Sequence, residues 1–166
     1  MLKTVTPIDN SILVERNFAT DSEIETVLQN AYDARKEWRE TPLRERKEII
    51  INFVKSFLSN DEEIIENLCK QIGRPIIQCP GEMRGFEERA NYMVDNADRA
   101  LEDLVSRKDR EFDNYIKKEP LGTIFVIAPW NYPFNTSVNS IVPSLLSCLL
   151  YTSPSPRDLS TSRMPS

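Results

Sequence analysis

A short apolar run, stopped by two prolines and followed by a helical stripe, constrains this chain more than any other feature. Thr123 to Ala128 carries Ile124, Phe125, Val126 and Ile127 without interruption. Runs of β-favouring residues at this length fit a strand buried on both faces, as in parallel sheets covered by helices. The run ends at Pro129-Trp130-Asn131-Tyr132-Pro133, where two prolines fix the backbone and remove ladder donors. Val138, Ile141, Val142, Leu145 and Leu146 then recur at three- and four-residue intervals, which predicts a helix. Strand, rigid turn and helix in this order open an α/β domain, with its chemistry at the carboxyl end of the strand. A further strand is expected next. In its place stands CLLYTSPSPRDLSTSRMPS, where hydrophobic periodicity ends and Ser, Pro and Thr dominate.

The residues before this unit read as helical. Thr20-x-x-Glu23 is a capping box, and Ile24, Val27, Leu28, Ala31 and Trp38 form the apolar stripe of the helix it starts. Thr41 as N-cap and Pro42 at the first helical position open a second, with Leu43, Ile50, Val54 and Phe57 inward. Ser59-x-x-Glu62 opens a third, carrying Ile64, Ile65, Leu68 and Cys69, and Gly73 is placed to end it. Pro80 starts a fourth, lined by Met83, Phe86, Ala90, Met93, Val94, Ala97, Leu101 and Leu104. Its charged residues Glu82, Arg84, Glu87, Glu88 and Arg89 read as a solvated face. Arg107 to Glu111 is a charged link into Phe112 to Lys118, where a short strand is expected.

Composition narrows the function by exclusion. A net charge of −5 argues against nucleic acid, whose phosphates need basic patches. No apolar run is long enough to cross a bilayer, and MLKTVTPIDNS lacks a signal-peptide core, so a soluble cytoplasmic protein without a membrane partner is expected. Cys69, Cys79 and Cys148 are unclustered and lack metal-ligand spacing, which fits a reducing compartment and no metal. Cys69 falls on an apolar helix face and reads as a small buried hydrophobe. Cys79 has no basic residue beside it to lower its pKa. The chain contains no histidine, which removes Ser-His and Cys-His nucleophile pairs and histidine metal sites from consideration within it.

The stretch from Glu119 to Ser147 resembles the aldehyde dehydrogenase superfamily. The phrases that carry the resemblance are Glu119-Pro120-Leu121-Gly122 before the strand and Pro129-Trp130-Asn131 after it, completed by Tyr132-Pro133. Ile72-Gly73-Arg74-Pro75, Gly81-Glu82 and Asn96-Ala97 are similar to the family's helical lead-in, so the match spans most of residues 20–147. The resemblance implies an α/β fold: a helical lead-in over 1–118, then 119–147 as the first strand-turn-helix of a truncated, Rossmann-like NAD(P)-binding domain. It further implies oxidation of a small-molecule aldehyde to a carboxylic acid with NAD or NADP, by an enzyme whose whole form is a homo-oligomer. In this family a cysteine thiolate attacks the aldehyde, and Asn131 matches the asparagine whose side-chain amide steadies the resulting oxyanion. Without the resemblance, an asparagine between two prolines reads as a turn residue bonded to its own backbone. Ile127, Ala128, Pro129 and Trp130 match positions beside the nicotinamide half of the cofactor, and Trp130 reads equally well as a core aromatic. The family's nucleophilic cysteine and general-base glutamate belong to phrases expected beyond residue 147, and Cys148 stands where the family usually has a glycine. Transfer to coenzyme A instead of water stays open, as does a different class of protein altogether, a non-catalytic helical protein-interaction module.

Residues 148–166 have an explanation of another kind. CLLYTSPSPRD resembles one reading frame of the transposase-end adapter used in sequencing libraries, with Leu159-Ser160-Thr161 as a variable index and Ser162 to Ser166 as the constant part that follows it. The expectation is therefore a non-native, disordered tail joined to a truncated gene. Amplification across codon 147 from source DNA should recover a different downstream sequence; an unbroken CLLYTS codon run in that locus would refute it.

Overall fold

In the computed structural model of the protein, residues 1–108, 112–148 and 150–152 are described below. Helix α5 (Pro133–Leu146) forms the centre of the packing because its apolar stripe meets two other stripes at once. Val138 and Val142 are fully buried and Leu146 nearly so. They pack with Ile50 and Val54 of α2 (Leu43–Leu58) and with Phe86, Ala90, Val94 and Ala97 of α4 (Pro80–Leu101). Aromatic rings close one end of this core. Phe57 lies 4.5 Å from Phe86 and 5.3 Å from Phe134, centroid to centroid, the spacing of favourable ring pairs. The expected stripes of α2, α4 and α5 are thus the core.

Helix α1 (Asp21–Glu40) begins at the expected capping box: the Thr20 backbone N–H donates to Glu23 Oε2 at 2.8 Å and the Glu23 N–H to Thr20 Oγ1 at 3.3 Å. Its stripe is not core, however. Ile24, Val27 and Leu28 are each about half exposed, and α1 has no buried residue among those described. The helix is held from its second half, where Trp38 Nε1 donates to the Leu145 carbonyl at 3.1 Å and Arg39 pairs with Glu119 at 2.9 Å.

Two helix starts differ from expectation by one residue. Thr41 closes α1, with its N–H on the Glu37 and Trp38 carbonyls, and Pro42 occupies the N-cap of α2. A residue before proline is pushed to extended backbone, and Thr41 has ψ 121°. Ser59, by contrast, keeps helical backbone (φ −66°, ψ −11°) and caps the end of α2, its hydroxyl donating to the Ser56 carbonyl, so Asn60 is the N-cap of α3 (Asp61–Ile72). Gly73 ends α3 as expected, at φ +70°, where a side chain would be strained. A 3₁₀ turn at Ile76–Gln78 leads into α4, which stops at Leu101. Leu104, expected on α4, instead begins β3 (Leu104–Lys108), whose antiparallel partner β4 (Asp113–Ile116) is the short strand expected there. Residues 109–111 of the charged link lie outside the described residues.

The N-terminal hairpin of β1 (Leu2–Val5) and β2 (Ile12–Arg16) was not signalled by apolar alternation. Its turn is made by Thr6 to Ser11, with Asn10 at φ +63°. The strand expected over Thr123–Ala128 is shorter, β5 (Thr123–Phe125), and is not buried on both faces: Phe125 and Ile127 are more than half exposed, and Val126 is buried. Among the described residues β5 has a single neighbour. That neighbour is β6 (Leu150–Thr152), parallel and in register Thr123↔Leu150, which supplies the following strand that the sequence was expected to lack. The result is a β5–α5–β6 unit in a mixed α/β chain.

Removing the ring of Phe86 should destabilise the fold by about 3–5 kcal/mol, whereas Leu28→Asp on the open face of α1 should change stability by less than about 0.5 kcal/mol. Urea unfolding of both variants compares the two faces directly.

Candidate active site

The turn between β5 and α5 is positioned by a buried carboxylate. Pro133 occupies the first turn of α5, where its missing N–H costs nothing, and the N-cap residue Tyr132 offers no side-chain cap. The cap comes from another helix. Glu82, on the first turn of α4 and 1% exposed, accepts from the backbone N–H groups of Phe134 (2.8 Å) and Asn135 (3.4 Å) through Oε1. A carboxylate at this place satisfies orphan donors and meets the positive end of the helix dipole. Its other oxygen, Oε2, pairs with Arg74 Nη1, whose side chain is 12% exposed. Arg74 Nη2 donates to the backbone carbonyl of Asn131, and the guanidinium lies 4.4 Å from the centre of the Tyr132 ring. One ion pair therefore grips the turn at its carbonyl, its aromatic ring and the first amides of its helix. Because a carboxylate already occupies the N-terminus of α5, that end is closed to a second anion such as a phosphate.

The residues singled out from the sequence lie together. Ile127, Ala128, Pro129, Trp130 and Asn131 form one continuous segment from the carboxyl end of β5 to α5. Asn131 and Pro129 are exposed, and Ala128 is half-buried. Ile127 and Trp130 are 60% and 73% exposed, so Trp130 is an outward aromatic and not a core one. The EPLG phrase before β5 has its own geometric reason: Gly122 sits at φ +116°, and a Cβ there would meet Arg35 Nη1 at 3.2 Å. The reading of Glu82 as part of a solvated face is corrected; Arg84, Glu87, Glu88 and Arg89 do face solvent. The signal that could have found Glu82 was the absence of a capping side chain ahead of Pro133.

None of the three cysteines joins this segment. Cys79 is fully buried beneath the Arg74 and Pro75 carbonyls, and burial raises its thiol pKa, with smaller upward contributions from Cys69 and Glu82 against a lowering one from Arg74. Cys69 is half-buried on α3. Cys148 contacts the Arg46 guanidinium past the far end of α5, roughly 20 Å from the turn by the rise of that helix. No group of potential metal ligands occurs among the described residues, and no helix among them is long and apolar enough to cross a membrane.

The family model for the aldehyde dehydrogenase family matches residues 1–161. The chain belongs to the aldehyde dehydrogenase family. It is 26% identical over 152 residues to vanillin dehydrogenase of Corynebacterium glutamicum, covering 85% of this chain and 29% of that protein. With the NADP-dependent glyceraldehyde-3-phosphate dehydrogenase of Arabidopsis thaliana it shares 29% identity over 135 residues, 77% of this chain and 27% of that one. The solved structure of 3,6-anhydro-L-galactose dehydrogenase in complex with NAP superposes with a TM-score of 0.81 at 27% identity, covering 96% of this chain and 34% of that chain. The chain thus spans less than a third of the length of these curated relatives. Membership accounts for the mixed helix-and-strand architecture and for the order of its phrases.

Alkylation of the native chain should label Cys69 first and leave Cys79 unreacted until denaturant is added, as thiol counting by mass spectrometry will show. A Cys79 that reacts as fast as a free thiol in the folded chain would contradict the burial described.

Proposed function

We propose that the chain is the front part of an NAD(P)-dependent aldehyde dehydrogenase that oxidises an aldehyde to a carboxylic acid, with its nucleophilic cysteine and general-base glutamate outside this chain. The observation that carries the reading is Asn131: exposed in the turn that leads from the carboxyl end of β5 into α5, with its main chain held by Arg74. When the cysteine thiolate adds to the aldehyde, negative charge develops on the former carbonyl oxygen. A side-chain N–H already aimed at that oxygen stabilises the transition state more than the ground state. Asn131 is read as that donor. Loss of hydride from the thiohemiacetal carbon, which NAD or NADP would accept, would leave a thioester that water or coenzyme A would cleave.

The residues present fit one part of the cofactor. Ile127 and Trp130 offer exposed apolar surface beside Asn131, suited to the flat nicotinamide, and the α5 N-terminus is already capped by Glu82, which disfavours the diphosphate there. NAD or NADP, when bound, supplies the hydride acceptor. Ile127, Ala128, Pro129 and Trp130 would form an uncharged wall that positions the ring and keeps water from it. The β5–α5 pair, within residues 119–147, is read as the opening of the Rossmann-like domain, and the whole enzyme as a cytoplasmic homo-oligomer. Residues after Ser147 are read as adapter-derived, so the native chain would replace them.

In an enzyme completed with its native downstream portion, Asn131→Ala should lower kcat by about 10²–10³ with KM for the aldehyde little changed. Steady-state kinetics decides this, and an unaltered kcat would remove Asn131 from the oxyanion role.

A further inference from the structure

We propose that Arg74 is the positioning residue for Asn131, anchored by Glu82, so that the aim of the asparagine is set from the α3–α4 connection and not by the two prolines alone. For its catalytic consequence this rests on the proposed oxyanion role of Asn131; the geometry stands apart from that role.

Three observations carry the assignment. The Arg74 fork divides its donors, Nη1 to Glu82 and Nη2 to the Asn131 carbonyl, so one rigid plane links the cap of α5 to the residue two places before that helix. Lysine could not make this bridge, because a point-charge ammonium has neither the fork nor the flat face that lies on Tyr132. Arg74 itself is tightly placed. Gly73 before it takes the left-handed turn that ends α3 with Pro7 close by, and Pro75 after it restricts its backbone to extended conformations. Finally, Glu82 lies fully inside and holds Arg74 and the α5 amides with different oxygens, so the guanidinium cannot swing away without leaving a buried charge unpaired. Proline fixes φ at Pro129 and Pro133 but leaves the Asn131 peptide plane free to rotate. Arg74 is what pins that plane. A side chain whose peptide plane drifts loses its aim, and misplacement by about 1 Å can cost a hundredfold in rate.

The test uses the 166-residue chain with isotope labelling and Arg74→Lys. The Asn131 carbonyl carbon resonance should move toward its solvated value and the order parameters of Trp130 and Asn131 should fall, while the Phe134 and Asn135 amides keep their exchange protection. That pattern separates a positioning role from a general loss of stability, in which turn and cap would loosen together. An Asn131 resonance and order unchanged by Arg74→Lys would overturn the proposal, as would simultaneous loss of protection at Phe134. Should Arg74→Lys fail to fold, Glu82→Gln supplies the second reading. It should shift the same carbonyl and speed exchange of the Phe134 amide roughly tenfold, as expected for a weakened helix cap; no shift at Asn131 would again overturn it. The readout needs no aldehyde, cofactor or turnover. A negative result here therefore leaves the kinetic test of Asn131 intact, and a negative kinetic result leaves this one intact.

Discussion

Glu82 is a carboxylate taken out of water at the meeting point of three elements, and the position of the turn depends on how its charge is met. Burying an ionised group without partners is prohibitive. Here the guanidinium of Arg74 and two amides at the positive end of α5 surround it. Such an arrangement adds modestly to net stability, since desolvation offsets much of the Coulombic gain. Its effect is directional. Moving α5 along its axis by one residue would pull the Phe134 and Asn135 amides from the carboxylate, and Val138 and Val142 from the core they fill. Core packing and the ion pair therefore select the same register for the helix, and through it the same place for the Pro129–Pro133 turn.

How much of this was legible follows from the kind of signal each feature leaves. The stripes of α2, α4 and α5 announced a core because apolar periodicity and burial are the same physical fact, seen in Val138, Val142, Phe86 and Val94. The α1 stripe announced one too, and Ile24, Val27 and Leu28 are exposed, because periodicity records what a helix can bury and not what lies beside it. Caps were legible where a local side chain closes the loop, as at Thr20 and Glu23, and shifted by a residue where proline or a neighbouring hydroxyl altered the boundary, as at Thr41 and Ser59. The cap of α5 left no local trace: Glu82 stands 51 residues before Pro133 and reaches it through the tertiary fold. The candidate residues Ile127 to Asn131 came from a resemblance carried by one consecutive phrase; the pair that holds that segment, Arg74 and Glu82, left no such phrase.

The exposed apolar surface has a consistent distribution. Ile24, Val27 and Leu28 on α1, Leu104 and Val105 on β3, and Phe125, Ile127 and Trp130 around β5 are all more than 45% exposed. The chain spans less than a third of the length of these curated relatives, and these apolar side chains stand exposed in it. Leu150–Thr152 pairs with one edge of β5 in parallel through the main chain.

The charge balance around the turn bears on why an asparagine suits the proposed reaction. An uncompensated Glu82 carboxylate near Asn131 would raise the energy of an oxyanion forming nearby, working against the step it is meant to assist. With Arg74 beside it the local net charge is zero, and the α5 dipole is already answered. In the proposed reaction the donor left for the substrate would be the neutral amide of Asn131, which neither loses a proton nor gains one across the ordinary pH range. Stabilisation by such a donor rests on orientation alone, because no monopole steers the charge toward it. A site that relies on a dipole needs its backbone fixed more firmly than one that relies on a cation. The demand for a fixed Asn131 and the presence of a buried ion pair whose far end holds the Asn131 carbonyl are, in that sense, one requirement met from two sides.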